Sequence, residues 1–236
     1  MKYRVRAKFA ISWLLKGLPG KLGKRFETIY FWNRRKFTET ACAEEFRKIF
    51  DSLDETSICI DLGANIGVVT SKLASRAGKV YAFEPDPWAF SELKQRCGEM
   101  PNVELLNCAI GSSNENILMR RDPDFSPSEA YRSTGTSRFV SLLWDNREGV
   151  TFEVRQVDIC SFIREVGRRI SLIKVDIEGA EADLLERLLD SEEITMVDSI
   201  FVETHEAHMP ELRARLRAIR RRVAAIKNPL INLDWQ

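Results

Sequence analysis

Two stretches late in the chain carry charged side chains where a buried strand calls for apolar ones. Ile173, Val175 and Ile177 alternate with Lys174, Asp176 and Glu178, so a strand over Ser171–Ile177 puts all three charges on one face. A strand over Ser199–His205 repeats the pattern, with Ser199, Phe201, Glu203 and His205 sharing a face. A central strand covered on both sides holds charges only where they are paired or functional. These charges fall at carboxyl ends, where open α/β sheets bind ligands. Lys174, Asp176, Glu178, Glu203 and His205 are therefore the candidate reactive set, and the competing reading is an ion pair of Lys174 with Asp176 or Glu178.

Two kinds of chemistry suit such a set. In one, His205 or Asp176 accepts the proton of a hydroxyl while the remaining carboxylates orient the substrate. In the other, Asp176 and Glu203, with or without His205, bind a divalent cation such as Mg2+ that lowers the hydroxyl's pKa. The metal-free arrangement is preferred. His205-Glu206-Ala207-His208 does not have the H-E-x-x-H zinc spacing, and His208 beside Pro210 reads as a surface or helix-start residue.

The elements that must position this set begin with Ile58–Leu62, an apolar run interrupted only by Asp61, as a buried parallel strand requires. It runs into Gly63-Ala64-Asn65-Ile66-Gly67 and then a helical stripe of Val68, Val69, Leu73 and Ala77. Dinucleotide loops read G-x-G-x-x-G and cradle a pyrophosphate. Here the spacing is D-x-G-x-x-x-G, and a carboxylate at the loop entrance repels a pyrophosphate while suiting an ammonium, directly or through water. The loop thus favours S-adenosylmethionine over NAD.

A second strand, Lys79–Phe83, delivers Glu84 about 20 residues after the glycine loop, where an acidic residue meets a ribose diol. Asp86 and Pro87 read as N-cap and first helical residue, ahead of a stripe of Phe90, Leu93 and Cys97. A third strand, Val103–Cys108, carries Asn107 near its end, a candidate for the adenine edge or for a turn. The cofactor set is Asp61, Gly63, Ala64, Asn65, Gly67, Glu84 and Asn107.

Four segments together, Asp61–Gly67 (DLGANIG), Phe83–Phe90 (FEPDPWAF), Asn107–Gly111 (NCAIG) and Ile173–Leu185 (IKVDIEGAEADLL), resemble the FkbM-type methyltransferase family, from about Phe31 to the C-terminus. The resemblance implies a Rossmann-like class I methyltransferase fold: α/β, with a doubly wound, seven-stranded, mostly parallel sheet closed by an antiparallel C-terminal hairpin. Val223–Ile226 and Leu230–Trp235 around Asn228-Pro229 read as that hairpin. It also implies S-adenosylmethionine-dependent O-methyl transfer to a hydroxyl of a saccharide, glycolipid or natural product. Nucleic-acid methylation is disfavoured, because the strand end reads Asp176-Ile177-Glu178-Gly179 and not a D/N-P-P-Y tetrad.

The 236 residues, 44% hydrophobic and 30% charged, suit one α/β domain at 51–236 and a helical extension at 1–50. Residues 1–36 hold eleven Lys and Arg against one acid, and the remainder holds 25 basic against 34 acidic side chains. Val5, Phe9 and Trp13 at helical spacing among these bases make residues 1–25 a surface for packing on the domain or for peripheral contact with an anionic membrane. A non-catalytic adaptor that binds a membrane or an acidic partner through this arm is the alternative function. The arm's longest uncharged run, Phe9–Leu15, is too short to span a bilayer or serve as a secretory core. Five cysteines without C-x-x-C spacing imply reduced thiols and a cytoplasmic location. Phe31, Trp32, Phe37, Phe46, Ile49 and Phe50 suggest helices ahead of the sheet. Asn116–Arg120 and Thr151–Val157 suggest an inserted hairpin whose loop, with Arg132, Ser133, Thr134 and Arg138, lies near the acceptor.

Overall fold

A computed structural model describes residues 41–121, 125, 149–207 and 209–235. Expectations placed on the arm at 1–40, on Arg132, Ser133, Thr134 and Arg138, and on His208 lie outside these residues.

Among the described residues six strands form the main sheet, where seven were expected: β1 (Ile58–Leu62), β2 (Lys79–Phe83), β3 (Val103–Leu106), β7 (Leu172–Val175), β8 (Ser199–Val202) and β9 (Leu230–Asn232). Their order is β3-β2-β1-β7-β8-β9, and every neighbouring pair is parallel. All five β1 residues are buried, as both faces of this central strand are covered. Ile58, Ile60 and Leu62 pack with α4 (Ile159–Val166), α5 (Glu181–Leu189) and α6 (Arg213–Ala224). On the opposite face Cys59 and Phe201 pack with Leu73 of α2 (Val68–Ala74) and with α1 (41–51), whose Phe46 ring lies 5.2 Å from Phe201. This is the doubly wound α/β arrangement expected from the sequence. The order reverses between β1 and β7, and that switch point opens a crevice at the strands' carboxyl ends.

The glycine loop is fixed by that closeness. Gly63 has φ +74°, and a Cβ there would stand 1.7 Å from the Asp176 carbonyl oxygen. Only glycine lets β1 and β7 deliver their ends side by side. Gly67, at φ +82°, caps α2. Downstream, the Asp86 carboxylate accepts from the backbone of Trp88 and Ala89 at 2.8 and 3.2 Å, with Pro87 opening α3 (Pro87–Cys97). Both features match the sequence reading.

The inserted hairpin is present as β5 (Glu115–Arg120) antiparallel to β6 (Thr151–Asp158), and β4 (Ala109–Gly111) joins β6 in parallel to make a second sheet. The antiparallel C-terminal hairpin is not. Val223 extends the stripe of Leu216 and Ile219 and belongs to α6, so the chain returns through a helix and β9 pairs parallel with β8. Strand β3 also ends earlier than expected, at Leu106. Among the described residues no helix is long and apolar enough to cross a membrane.

Candidate active site

Asp61 and Lys174 are register partners on β1 and β7, facing α2. The Asp61 carboxylate is fully buried, accepts from Thr70 Oγ1 at 2.7 Å and lies 3.3 Å from Lys174 Nζ. The ammonium it meets is therefore the chain's own, and Asp61 lines neither cleft described below. Lys174 also donates to the Gly63 carbonyl at 2.7 Å and stands 3.6 Å from Asp176. Burial works against its charge, but Asp61 and Asp176 outweigh that and hold its pKa above the ordinary lysine value. Of the ion pairs anticipated from sequence, Lys174 makes the one with Asp176, and its nearer carboxylate is the unanticipated Asp61.

The loop beyond β1 folds onto β2. Gly63 and Ala64 both donate to the Phe83 carbonyl, at 3.0 and 2.9 Å, and Asn65 N–H donates to Glu84 Oε2 at 2.7 Å. Glu84 also accepts from Asp86 N–H at 2.8 Å. Burial pushes its carboxyl up to about 7 in spite of these two donors. Glu84 lines a cleft walled by Phe83, Pro85, Cys108, Ile110, Ile117 and Met119, together with Gly63 and Asn65. Hydrophobic walls with a few placed polar groups are the usual make-up of a cofactor site. The insertion contributes Ile117, Met119 and Gln156 directly to the wall, a role its sequence did not advertise. Asn107 lies outside this lining; its amide donates to the Glu84 and Pro85 carbonyls at 2.8 and 3.4 Å, the turn role that was one of the two open to it.

A second cleft lies on the α2 side between Ala64, Ile66, Val68, Val69, Lys174, Glu203 and Trp235. Val68, assigned from sequence to a buried stripe, is 44% exposed and faces this cleft. Three residues, Gly63, Asn65 and Asp176, line both clefts.

The charged residues after β7 converge by a different route from the one their alternation suggested. The strand ends at Val175, and Asp176 and Glu178 sit in the turn before α5. Glu178 has φ +50° and Gly179 φ +106°, a left-handed turn that sends the Glu178 side chain toward β8. Its Oε2 lies 3.3 Å from His205 Nε2, and Asp176 Oδ1 lies 4.0 Å from the same nitrogen. The opposite ring nitrogen, Nδ1, is 2.9 Å from Glu181 Oε1. Burial alone would lower the imidazole's pKa, but Glu181, Glu178 and Asp176 together raise it to about 10. Burial lifts Glu178 to about 8, with His205 pulling the other way and Asp176 adding to the rise.

The ligand atoms of Asp176, Glu178 and His205 all lie within 4.8 Å of one another. Glu203 lines the second cleft and is not part of this cluster, so the grouping of Asp176 with Glu203 expected for a cation is replaced by Asp176 with Glu178 and His205. Sequence reasoning passed over Glu181, although a carboxylate in the first turn of a helix, three residues after another, is a signal for anchoring the preceding loop.

The sequence profile described as "Methyltransferase FkbM domain" matches residues 61–225. The chain is 32% identical over 166 residues to "Methyltransferase 1" of Beauveria bassiana, covering 63% of this chain and 65% of that one. It is 26% identical over 200 residues to "2-O-methyltransferase NoeI" of Sinorhizobium fredii, covering 78% and 81%. With "Hexuronic acid methyltransferase AglP" of Haloferax volcanii it shares 24% identity over 166 residues, covering 70% and 63%. The matches thus span less than two thirds of the first and third of these relatives. The profile runs from Asp61 near the end of β1 to the end of α6 and takes in every residue that lines the two clefts except Trp235, and the chain belongs to the FkbM methyltransferase family.

Proposed function

We propose that the protein transfers the methyl group of S-adenosylmethionine to a hydroxyl oxygen of a saccharide, glycolipid or natural-product acceptor. The observation that carries this reading is the position of Asp176, the one carboxylate among the described residues that lines both clefts. The residues fit the cofactor. Gly63 leaves no room for a side chain where the loop crosses β7, Glu84 brings a carboxylate to the cleft for a ribose diol, and the Phe83, Ile110 and Met119 walls suit an adenine ring. When bound, the cofactor supplies an electrophilic methyl sulfonium. Two of the relatives named above are described as methylating a 2-O position or a hexuronic acid, which supports an oxygen acceptor on a sugar.

The chain's own part is to hold the acceptor and take its proton. With its imidazole raised to about 10, His205 is an imidazolium at neutral pH and does not serve as the base. Asp176 takes up the hydroxyl proton on a carboxylate oxygen, and the charge left on the acceptor oxygen is balanced by Lys174 and His205 nearby. Glu178 and Glu203 orient neighbouring hydroxyls. Labelled methyl transfer to a panel of glycans and polyols tests this: Asp176→Asn should lower turnover by roughly a hundredfold or more while leaving cofactor affinity within a few-fold.

A second reading follows from the spacing of Asp176, Glu178 and His205, which suits a divalent cation that lowers the hydroxyl's pKa directly. Loss of turnover on chelation, restored by Mg2+ or Mn2+, would select it over the metal-free version.

A further inference from the structure

Glu181 has no exposed surface and no place in either cleft's lining. Its Oε1 accepts from Ile177 N–H at 3.3 Å and Gly179 N–H at 3.0 Å, and Oε2 lies 3.1 Å from the same Gly179 nitrogen. These bonds hold the turn in which Glu178 and Gly179 adopt positive φ. The third partner of Oε1 is His205 Nδ1 at 2.9 Å. With Oε1 already accepting from two backbone N–H groups, Nδ1 donates to it, and the ring is oriented with Nε2 toward Glu178 and Asp176. One buried side chain therefore sets both the turn that presents Asp176 and Glu178 and the imidazole that faces them.

We propose that Glu181 is a positioning residue for methyl transfer, fixing the His205 ring with Nδ1–H inward and Nε2 in the cleft and holding the Asp176–Gly179 turn in the same contact. The proposal rests on the methyl-transfer reading only for its effect on turnover. The charged groups facing His205 are Glu181 on α5 and Asp176 and Glu178 in the turn. Among the described residues beyond β8 and on α6, the adjacent Glu206 pairs with Arg220 at 3.0 Å, and Arg213 donates to the Glu206 carbonyl at 2.9 Å. Removing the charge at Glu181 thus leaves Glu178 and Asp176 as the imidazolium's partners.

The sequence has two histidines, so the imidazole signals of the full chain can be assigned by comparison with His205→Gln. Glu181→Gln, close to isosteric, should lower the His205 titration midpoint by at least one pH unit and shift the Nδ1 resonance. The same variant should reduce kcat by tenfold or more with the KM for cofactor little changed, and Glu181→Asp should recover part of both. An unchanged His205 titration in folded Glu181→Gln would overturn the proposal. If Glu181→Gln does not fold, the Glu181→Asp titration decides in its place, and an unshifted midpoint there overturns the proposal equally. A shifted midpoint in a protein that transfers methyl to no acceptor would leave the positioning role standing and remove the functional reading instead.

Discussion

At the scale of the residue, the site is governed by an excess of carboxylates over cations at the switch point. Glu178 is lifted to about 8, so its charge changes within the working pH range. If ionised Glu178 is what orients the acceptor, kcat/KM should rise with pH toward a midpoint near 8, and Glu178→Gln should flatten that limb. A pH–rate profile of the two proteins checks this. Asp176→Asn should cost roughly 10²- to 10⁴-fold in kcat, the span typical of a lost general base. The candidate residues were legible in the sequence because charge inside a buried apolar strand is anomalous wherever it occurs. Their roles were less so. Asp61 read as a ligand contact and lies against Lys174; Asn107 read as an adenine contact or a turn residue, and its amide bonds are those of the turn. In both, the deciding partner is far away in sequence, 113 residues for Asp61 and 23 for Asn107.

At the scale of the element, the glycine loop is the least replaceable piece. Gly63→Ala combines a positive φ with a clash against the Asp176 carbonyl, which is backbone and cannot swing aside. The expected cost is on the order of 2–4 kcal/mol, read as a lowered urea midpoint with little change in m-value. Strand β1, the loop and the capped start of α3 were readable because local rules alone define them: an apolar run, glycine spacing, and Asp-Pro at a helix start. The C-terminal hairpin was misread because Val223 and Leu230 flank an Asn-Pro turn that is equally compatible with a helix end and a parallel return. Three-dimensional packing of Leu216 and Ile219 settles it in favour of α6. The charged residues after Val175 illustrate the same limit. Period two describes a strand, and the left-handed turn at Glu178 ends that period without any glycine at the position itself.

At the scale of the whole molecule, parallel strands from both halves of the chain bring Glu84, Asp176 and His205 to one edge, although they lie at opposite ends of the domain's sequence. The coupling has a signature in stability. His205 has a folded-state pKa near 10 against an ordinary 6.5, so the folded protein binds that proton more tightly than the unfolded chain. Its contribution is fully present below pH about 6.5 and is lost as pH rises through about 10. The stability gap between the wild type and His205→Gln should therefore be widest near pH 6 and close toward pH 10 in denaturation curves taken across that range.

The central claim is that the crevice beside β1 and β2 holds S-adenosylmethionine, and calorimetric titration of the full chain with this cofactor tests it without knowledge of the acceptor. One molecule should bind per chain, NAD should not bind, and Glu84→Ala should weaken the S-adenosylmethionine affinity by tenfold or more. Absence of binding to the folded wild type, or equal affinity in Glu84→Ala, would contradict the account.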